Sequence, residues 1–276
     1  MALERCLRAS AQSSKARWNF RLSTYRIRVG ERVKYLKIAP ATFYRDTLSF
    51  PLPPLPYNDD TWTVAHISRD PESGELRTSL TTQQLGGVQN AWHSTQVDVL
   101  DLERVERLTA TAFEAVVRET TKPTPTAATI LPRHSRFVAK IARFEWEIPR
   151  IERETRAYQL LQQKESDLAP RFLGHIREGN RVMGLLLEKL DDRRSAGISD
   201  LHDCEVALGR LHNLGILHGD VNKHNFLVGD DGVTLIDFER FQENSTELSR
   251  ASEMRSLRAE LEDRSGRGAG FVFVEK

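Results

Sequence analysis

Apolar and polar positions follow two different periods along this chain. Trp18 to Ile38 alternates loosely and ends in K-Y-L-K-I, which predicts two short strands around Gly30-Glu31. Phe50 to Asp60, F-P-L-P-P-L-P-Y-N-D-D, holds too much proline for a helix or a central strand. It reads as an ordered connector, with a polyproline-type ligand as the alternative. Thr61 to Ser68 is strand-like again, followed by a turn at residues 70–75 and a break at Leu85-Gly86-Gly87-Val88. From Asp101 to Glu119 the period changes. Leu102, Val105, Leu108, Ala112 and Val116 fall near helical spacing and predict a helix over part of this segment, turning to strand around Phe113–Val117.

Arg136 to Phe144 is an alternating strand with Lys140 at its middle. Behind Pro149, I-E-R-E-T-R-A-Y-Q-L-L predicts a helix whose Ile151, Ala157, Tyr158 and Leu161 face a core, and Glu154 lies on it. Pro170 to Gly174 starts a strand, and R-V-M-G-L-L-L-E-K-L, Arg181 to Leu190, is a buried one. Ser199 is expected to cap a helix carrying Leu201, Cys204, Leu208 and Leu211, with Gly215 just past its end. Cys204 and His212 are read there as packing or hydrogen-bonding groups. Phe226–Val228 and Val233–Ile236 flank a D-D-G turn, which predicts a hairpin. Ser249 to Glu262 is one more helix, before a Gly/Arg loop and a terminal F-V-F-V.

Composition narrows the class without naming a function. The 276 residues carry 40 basic and 39 acidic side chains, a net +1, so no global field favours nucleic acid or an anionic membrane. Cys6 and Cys204 are the two cysteines, far apart, which argues against a disulfide framework and for a reducing compartment. No apolar run approaches membrane-spanning length. The N-terminus lacks the apolar core of a secretory signal, and Glu4 and Glu31 argue against reading its basic, Ser-rich flavour as a transit peptide. A cytoplasmic or nuclear location is expected. His66 and His93 stand isolated and read as structural or exposed.

The chemistry-bearing stretch is L-H-G-D-V-N-K-H-N-F-L-V, Leu217 to Val228, followed by V-T-L-I-D-F-E, Val233 to Glu239. The expected hairpin brings Asp220, Asn225 and Asp237 to one end of a small sheet. Two carboxylates and an amide oxygen there suit a hard cation such as Mg2+. Ahead of them stand a strand lysine, Lys140, and a helix glutamate, Glu154, with Glu147 and Glu152 as possible substitutes. The pattern H-x-D-x-x-x-x-N followed by D-F-x resembles the catalytic and metal loops of the protein-kinase-like superfamily. H-G-D for H-R-D and D-F-E for D-F-G make Phe137 to Phe241 more similar to aminoglycoside and choline kinases than to ordinary protein kinases. The wider pattern, with W-x-V-x-H-I-S, W-H-S-T, A-R-F-E-W-E-I-P and P-R-F-L-G-H, resembles a family of fungal kinase-like proteins. Some of these carry the label alpha-galactosidase A precursor; the chain offers neither a secretory signal nor an identifiable glycosidase carboxylate pair in its support.

The resemblance implies an α+β, two-lobed protein-kinase-like fold. Residues 1–103 would form a β-rich N-terminal extension packed on the core, 104–190 the N-lobe and hinge, and 191–276 a short, minimal C-terminal lobe. It further implies ATP and Mg2+ as cofactors, with the γ-phosphate passing to a hydroxyl of a small molecule or protein. Asp220 would accept the hydroxyl proton, Asn225 and Asp237 would hold the metal, and Lys140, positioned by Glu154, would contact the α/β-phosphates. Glu188, Lys189 and Leu190 would offer backbone groups to adenine, Lys223 would reach the γ-phosphate, and His218 would support the loop. No nucleic-acid or membrane partner is implied. Two departures matter: Thr120 to Ser135, ahead of Lys140, contains no glycine, and no A-P-E motif follows Asp237. The substrate is then held by the N-terminal extension, or the chain is a reduced or truncated relative. A phosphotransferase and a pseudokinase-like module binding a nucleotide or partner without turnover therefore both stand.

Overall fold

The computed structural model describes residues 2–6, 22–43, 52–118, 131 and 135–268, with residues 2–6 described by their backbone. The expected terminal F-V-F-V and most of the glycine-free Thr120 to Ser135 stretch lie outside them. The fold is mixed α+β, and it divides into two compact units, residues 1–85 and 86–276.

The first unit is a five-stranded sheet in the order β1 (Ala2–Cys6), β2 (Ser23–Val29), β3 (Arg32–Ile38), β4 (Val64–Arg69) and β5 (Leu76–Thr81). Gly30, at φ +61, makes the β2–β3 turn. The Pro-rich stretch is an ordered connector: Leu55 is buried, and the Trp62 indole N–H donates to the Pro56 carbonyl at 2.9 Å. Lys34 is buried over the Trp62 ring and donates to the Asp59 and Trp62 carbonyls.

The second unit holds β6 (Gln96–Asp98), β7 (Leu102–Arg107), β8 (Ala112–Val117), β9 (Phe137–Ile141), α1 (Ile148–Gln163), β10 (Phe172–Glu178) and β11 (Arg181–Glu188). After them come β12 (Arg194–Ser195), α2 (Leu201–Asn213), β13 (Phe226–Gly229), β14 (Gly232–Leu235) and α3 (Glu247–Glu262). A six-stranded sheet runs β6-β10-β11-β9-β8-β7, antiparallel except for the β6–β10 pair. Central β11 is buried on both faces, which explains its unbroken apolar run: Leu185 and Leu187 meet α1's side, and Met183 and Leu186 the other. The short sheet β12-β13-β14 carries the expected hairpin.

Two expectations are corrected. Residues 102–107 form strand β7 and not a helix, while the strand expected around Phe113–Val117 forms as β8, paired with it. The helically spaced Val105 is 43% exposed, while Leu102, Phe113 and Ala115 are buried on one face of the sheet. Ser199 does not cap α2. It lies in a 3-10 turn, and the Asp200 carboxylate receives the Gly197 N–H at 2.8 Å and both arms of Arg194 at 2.7 Å, which holds its pKa at about 2. Residues 86–103, expected in the N-terminal extension, fall within the second unit. There β6 pairs with β10, and Trp92 packs on Phe172 at 4.7 Å.

Candidate active site

Lys140 is the hub. It sits mid-strand on β9, opposite Ala112 of β8 and Leu185 of β11, so its direction is fixed by two ladders. Its Nζ lies 2.7 Å from Glu154 on α1, 2.8 Å from Asp237 just past β14, and 3.5 Å from Glu239. Glu154 is fully buried in line with Ile151, Tyr158 and Leu161, so the helix that packs on the sheet also delivers the carboxylate. Glu147 and Glu152 are committed elsewhere: Glu147 accepts the Arg143 and Phe144 N–H groups, and Glu152 those of Gln89 and Asn90.

Three carboxylates share one ammonium. Burial works against charge on Lys140, but Glu154, Asp237 and Glu239 outweigh it and raise its pKa. Burial, opposed by Lys140 and reinforced by Asp237 and Glu239, pushes Glu154 up to about 7. For Asp237, burial is outweighed by Lys140, which holds the carboxyl below the usual range. Asp237 adopts φ +67, a left-handed conformation that a non-glycine residue holds only where its surroundings enforce it. Here α1 contributes a row of arginines. Arg150 reaches the Glu239 carboxylate at 3.5 Å, Arg153 the Glu239 carbonyl at 2.7 Å and Arg156 the Glu243 carboxylate at 3.0 Å.

The H-G-D loop follows α2. Leu217 pairs with Gln242 in a two-way bridge, and His218 is wholly buried, 3.0 Å from the Ile236 carbonyl, with burial lowering its pKa. Gly219, at φ +80, passes so close to the Arg240 carbonyl that a Cβ would lie 2.2 Å away. The Asp220 carbonyl receives the Asn225 amide at 2.8 Å and the Asn222 amide at 3.2 Å, while its carboxylate faces Arg240 at 3.7 Å. Lys223 is turned away: its ammonium donates to the Asp263 carbonyl at 2.6 Å. The stretch after α3 thus lies along the loop, with Gly268 packed on the Asn222 side chain.

A cleft of about 580 Å3 joins these parts. Lys140, Glu154, Asn225, Asp237 and Glu239 line it, with Glu188, Lys189 and Leu190 along another wall; Asp220 and Lys223 do not. The Glu188 N–H is already donated to the Arg171 carbonyl, and the Lys189 ammonium to Asp191. The turn of the β7–β8 hairpin, Leu108 to Thr111, borders the same cleft. It is a glycine-free chain reversal where sequence reasoning looked for a phosphate loop further on. Glu154, Asp237 and Glu239 place carboxylate oxygens within 4.8 Å of one another, but the Lys140 ammonium is ion-paired with all three. Asn225 and Asp237 offer oxygens from adjoining chain segments, joined by the Ile236 N–H on the Asn225 carbonyl at 3.0 Å. The Asn225 amide nitrogen is spent on Asp220, which leaves its side-chain oxygen for a cation. That donor set fits a hard divalent ion.

Residues 189–266 match the sequence model of the lipopolysaccharide kinase (Kdo/WaaP) family, a protein-kinase-like family. The matched stretch contains Asp220, Asn225 and Asp237; Lys140 and Glu154 lie ahead of it and reach the site through the fold. No curated protein matches the chain.

Proposed function

We propose that the second unit is an ATP- and divalent-metal-dependent phosphotransferase of the kinase-like type, with two lobes meeting at the cleft and a hydroxyl as acceptor. The kinase-family match supports the class, and one observation carries the assignment: Lys140 is ion-paired at once with Glu154 and Asp237. An adenine ring would lie against Val138, Leu187 and Leu190, and the triphosphate would run along the Leu108 to Thr111 turn to Lys140. A divalent cation held by Asp237 and Asn225 would neutralise charge on the phosphates. The acceptor oxygen attacks the γ-phosphorus as the bond to the bridging β–γ oxygen breaks. Its proton passes to Asp220, and ADP leaves.

The second reading, a pseudokinase-like binding module, is favoured by one contact: Glu239 joins the lysine's partners, so a phosphate must compete with three carboxylates for Lys140. ADP formation and nucleotide binding by wild type, Asp220→Asn and Asp237→Asn decide between them. On the phosphotransferase reading, Asp220→Asn binds ATP normally and turns it over about 10²–10⁴-fold more slowly. Asp237→Asn loses the Mg2+-dependent part of binding itself. Wild type that binds Mg2+-ATP and turns it over no faster than Asp220→Asn establishes the binding-module reading.

A further inference from the structure

Asp263 to Gly268, D-R-S-G-R-G, leaves α3 without one apolar side chain, yet it touches the loop that carries Asp220 at two points. The Lys223 ammonium donates to the Asp263 carbonyl at 2.6 Å, and Gly268 presses on Asn222, where a Cβ would stand 2.6 Å from the side-chain oxygen. Asn222 is itself fixed: it is buried, receives the His224 N–H at 3.0 Å and donates to the Asp220 carbonyl. Between the two points the segment folds on itself. The Asp263 carboxylate receives the Ser265 N–H at 2.9 Å and hydroxyl at 2.6 Å, the Ser265 oxygen receives the Arg267 N–H at 3.2 Å, and Arg267 pairs with Glu260 of α3. Gly266 and Gly268, at φ +77 and +81, make backbone turns that a Cβ would strain. Glu260 holds the Arg267 guanidinium above its ordinary value and Asp220 adds to the effect, so this arginine lies in the field of the Asp220 carboxylate.

Two features separate this contact from ordinary packing. Residues 264–268 are exposed and bury no apolar group, so hydrogen bonds and one ion pair seat them, and such a segment opens far more easily than a core element. What the segment holds is the one lysine of the H-G-D loop. We propose that residues 263–268 are an autoinhibitory strap: they hold Lys223 off the nucleotide cleft, and the site gains its full activity when they lift. The inference rests on the phosphotransferase reading, in which a cation of this loop meets the γ-phosphate. Bonded to Asp263, Lys223 faces away from the cleft. Gly268 meanwhile lines the cleft beside Asn225 and Asp237, where the phosphates would pass. Lifting the strap frees both places at once.

The test frees the strap in the full chain by two independent routes. Gly268→Ala sets a Cβ against Asn222, and Ser265→Ala combined with Arg267→Ala removes the turn bonds and the pair with Glu260. Arg258→Ala, on the exposed side of α3, is the control. Lys223 is read by its rate of acylation with an amine reagent, with and without Mg2+-ATP, and turnover by ADP release with water as acceptor. Acylation of Lys223 should be about 10–100-fold faster in both strap variants, the scale of one lost hydrogen bond to a charged group, and Mg2+-ATP should slow it there but not in wild type. Turnover should rise in the strap variants, adding Lys223→Ala should erase the rise, and the control should match wild type in every reading. Equal acylation in wild type and both strap variants overturns the proposal. So does faster acylation of an active enzyme with no rise in turnover, or a rise that survives Lys223→Ala. If no form turns ATP over, the phosphotransferase reading fails, and acylation with and without Mg2+-ATP alone decides whether the strap keeps Lys223 from a nucleotide.

Discussion

At the scale of single residues the cleft is governed by three anions around one cation. A strand lysine aimed at a cleft is expected from sequence to contribute little to stability, but Lys140 is 7% exposed and its removal leaves the fully buried Glu154 without its counter-ion. Lys140→Met should therefore cost about 3–5 kcal/mol, read by denaturant unfolding, as well as weakening Mg2+-ATP binding. A fully stable Lys140→Met protein would show the cluster to be wetter than its geometry. Glu154 carries its own pH signature. The folded chain binds this proton more tightly than the unfolded one, where it leaves near the ordinary 4.5. Its contribution is complete below that value and is withdrawn as pH rises through about 7. Wild type should thus lose more Tm than Glu154→Gln between about pH 6 and pH 8, and parallel curves would refute the assignment. Burial pushes the Cys204 thiol up to about 12, so it should not react with thiol reagents until the chain unfolds. Lys140, Glu154 and Asp237 were legible because motif order names them. Glu239 was not, since glutamate is solvated by default and its partners lie far away in sequence.

At the scale of elements, legibility followed period and length. The runs at β9, α1, β11 and α2 repeat cleanly, and each forms where its pattern places it. Strand β8 forms around Phe113–Val117 as its pattern predicts, but β7 was hidden because an edge strand buries almost nothing along its length. E-R-V-E-R then reads as a helix as readily as a strand. Gly184, on β11, shows how tightly the sheet sets the lysine. A Cβ there would stand 2.3 Å from the Lys140 carbonyl and 3.0 Å from the Ile141 side chain. Gly184→Ala must force β11 and β9 apart at the register that carries Lys140. We expect a loss of about 1–3 kcal/mol in thermal or chemical unfolding, together with weaker nucleotide binding. A stable variant with unchanged affinity would mean that the strands give way without moving the lysine.

At the scale of the whole molecule, the described apolar clusters divide as the units do. One spans Tyr25 to Ile67, and the other two run from Val88 to Leu261. A chain of residues 86–276 should therefore unfold in one cooperative transition and bind Mg2+-ATP as the full protein does; loss of either property would make residues 1–85 part of the fold of the rest. The bond between Lys140 and Asp237 spans 97 residues, and this has a consequence for synthesis. At 5–20 residues per second, Asp237 leaves the ribosome roughly 5–20 s after Lys140. Glu154 follows the lysine closely, so throughout that interval it is the one member of the carboxylate trio available. The nascent sheet and α1 can thus bring lysine and glutamate together first, and the D-F-E segment docks onto a partner already in place.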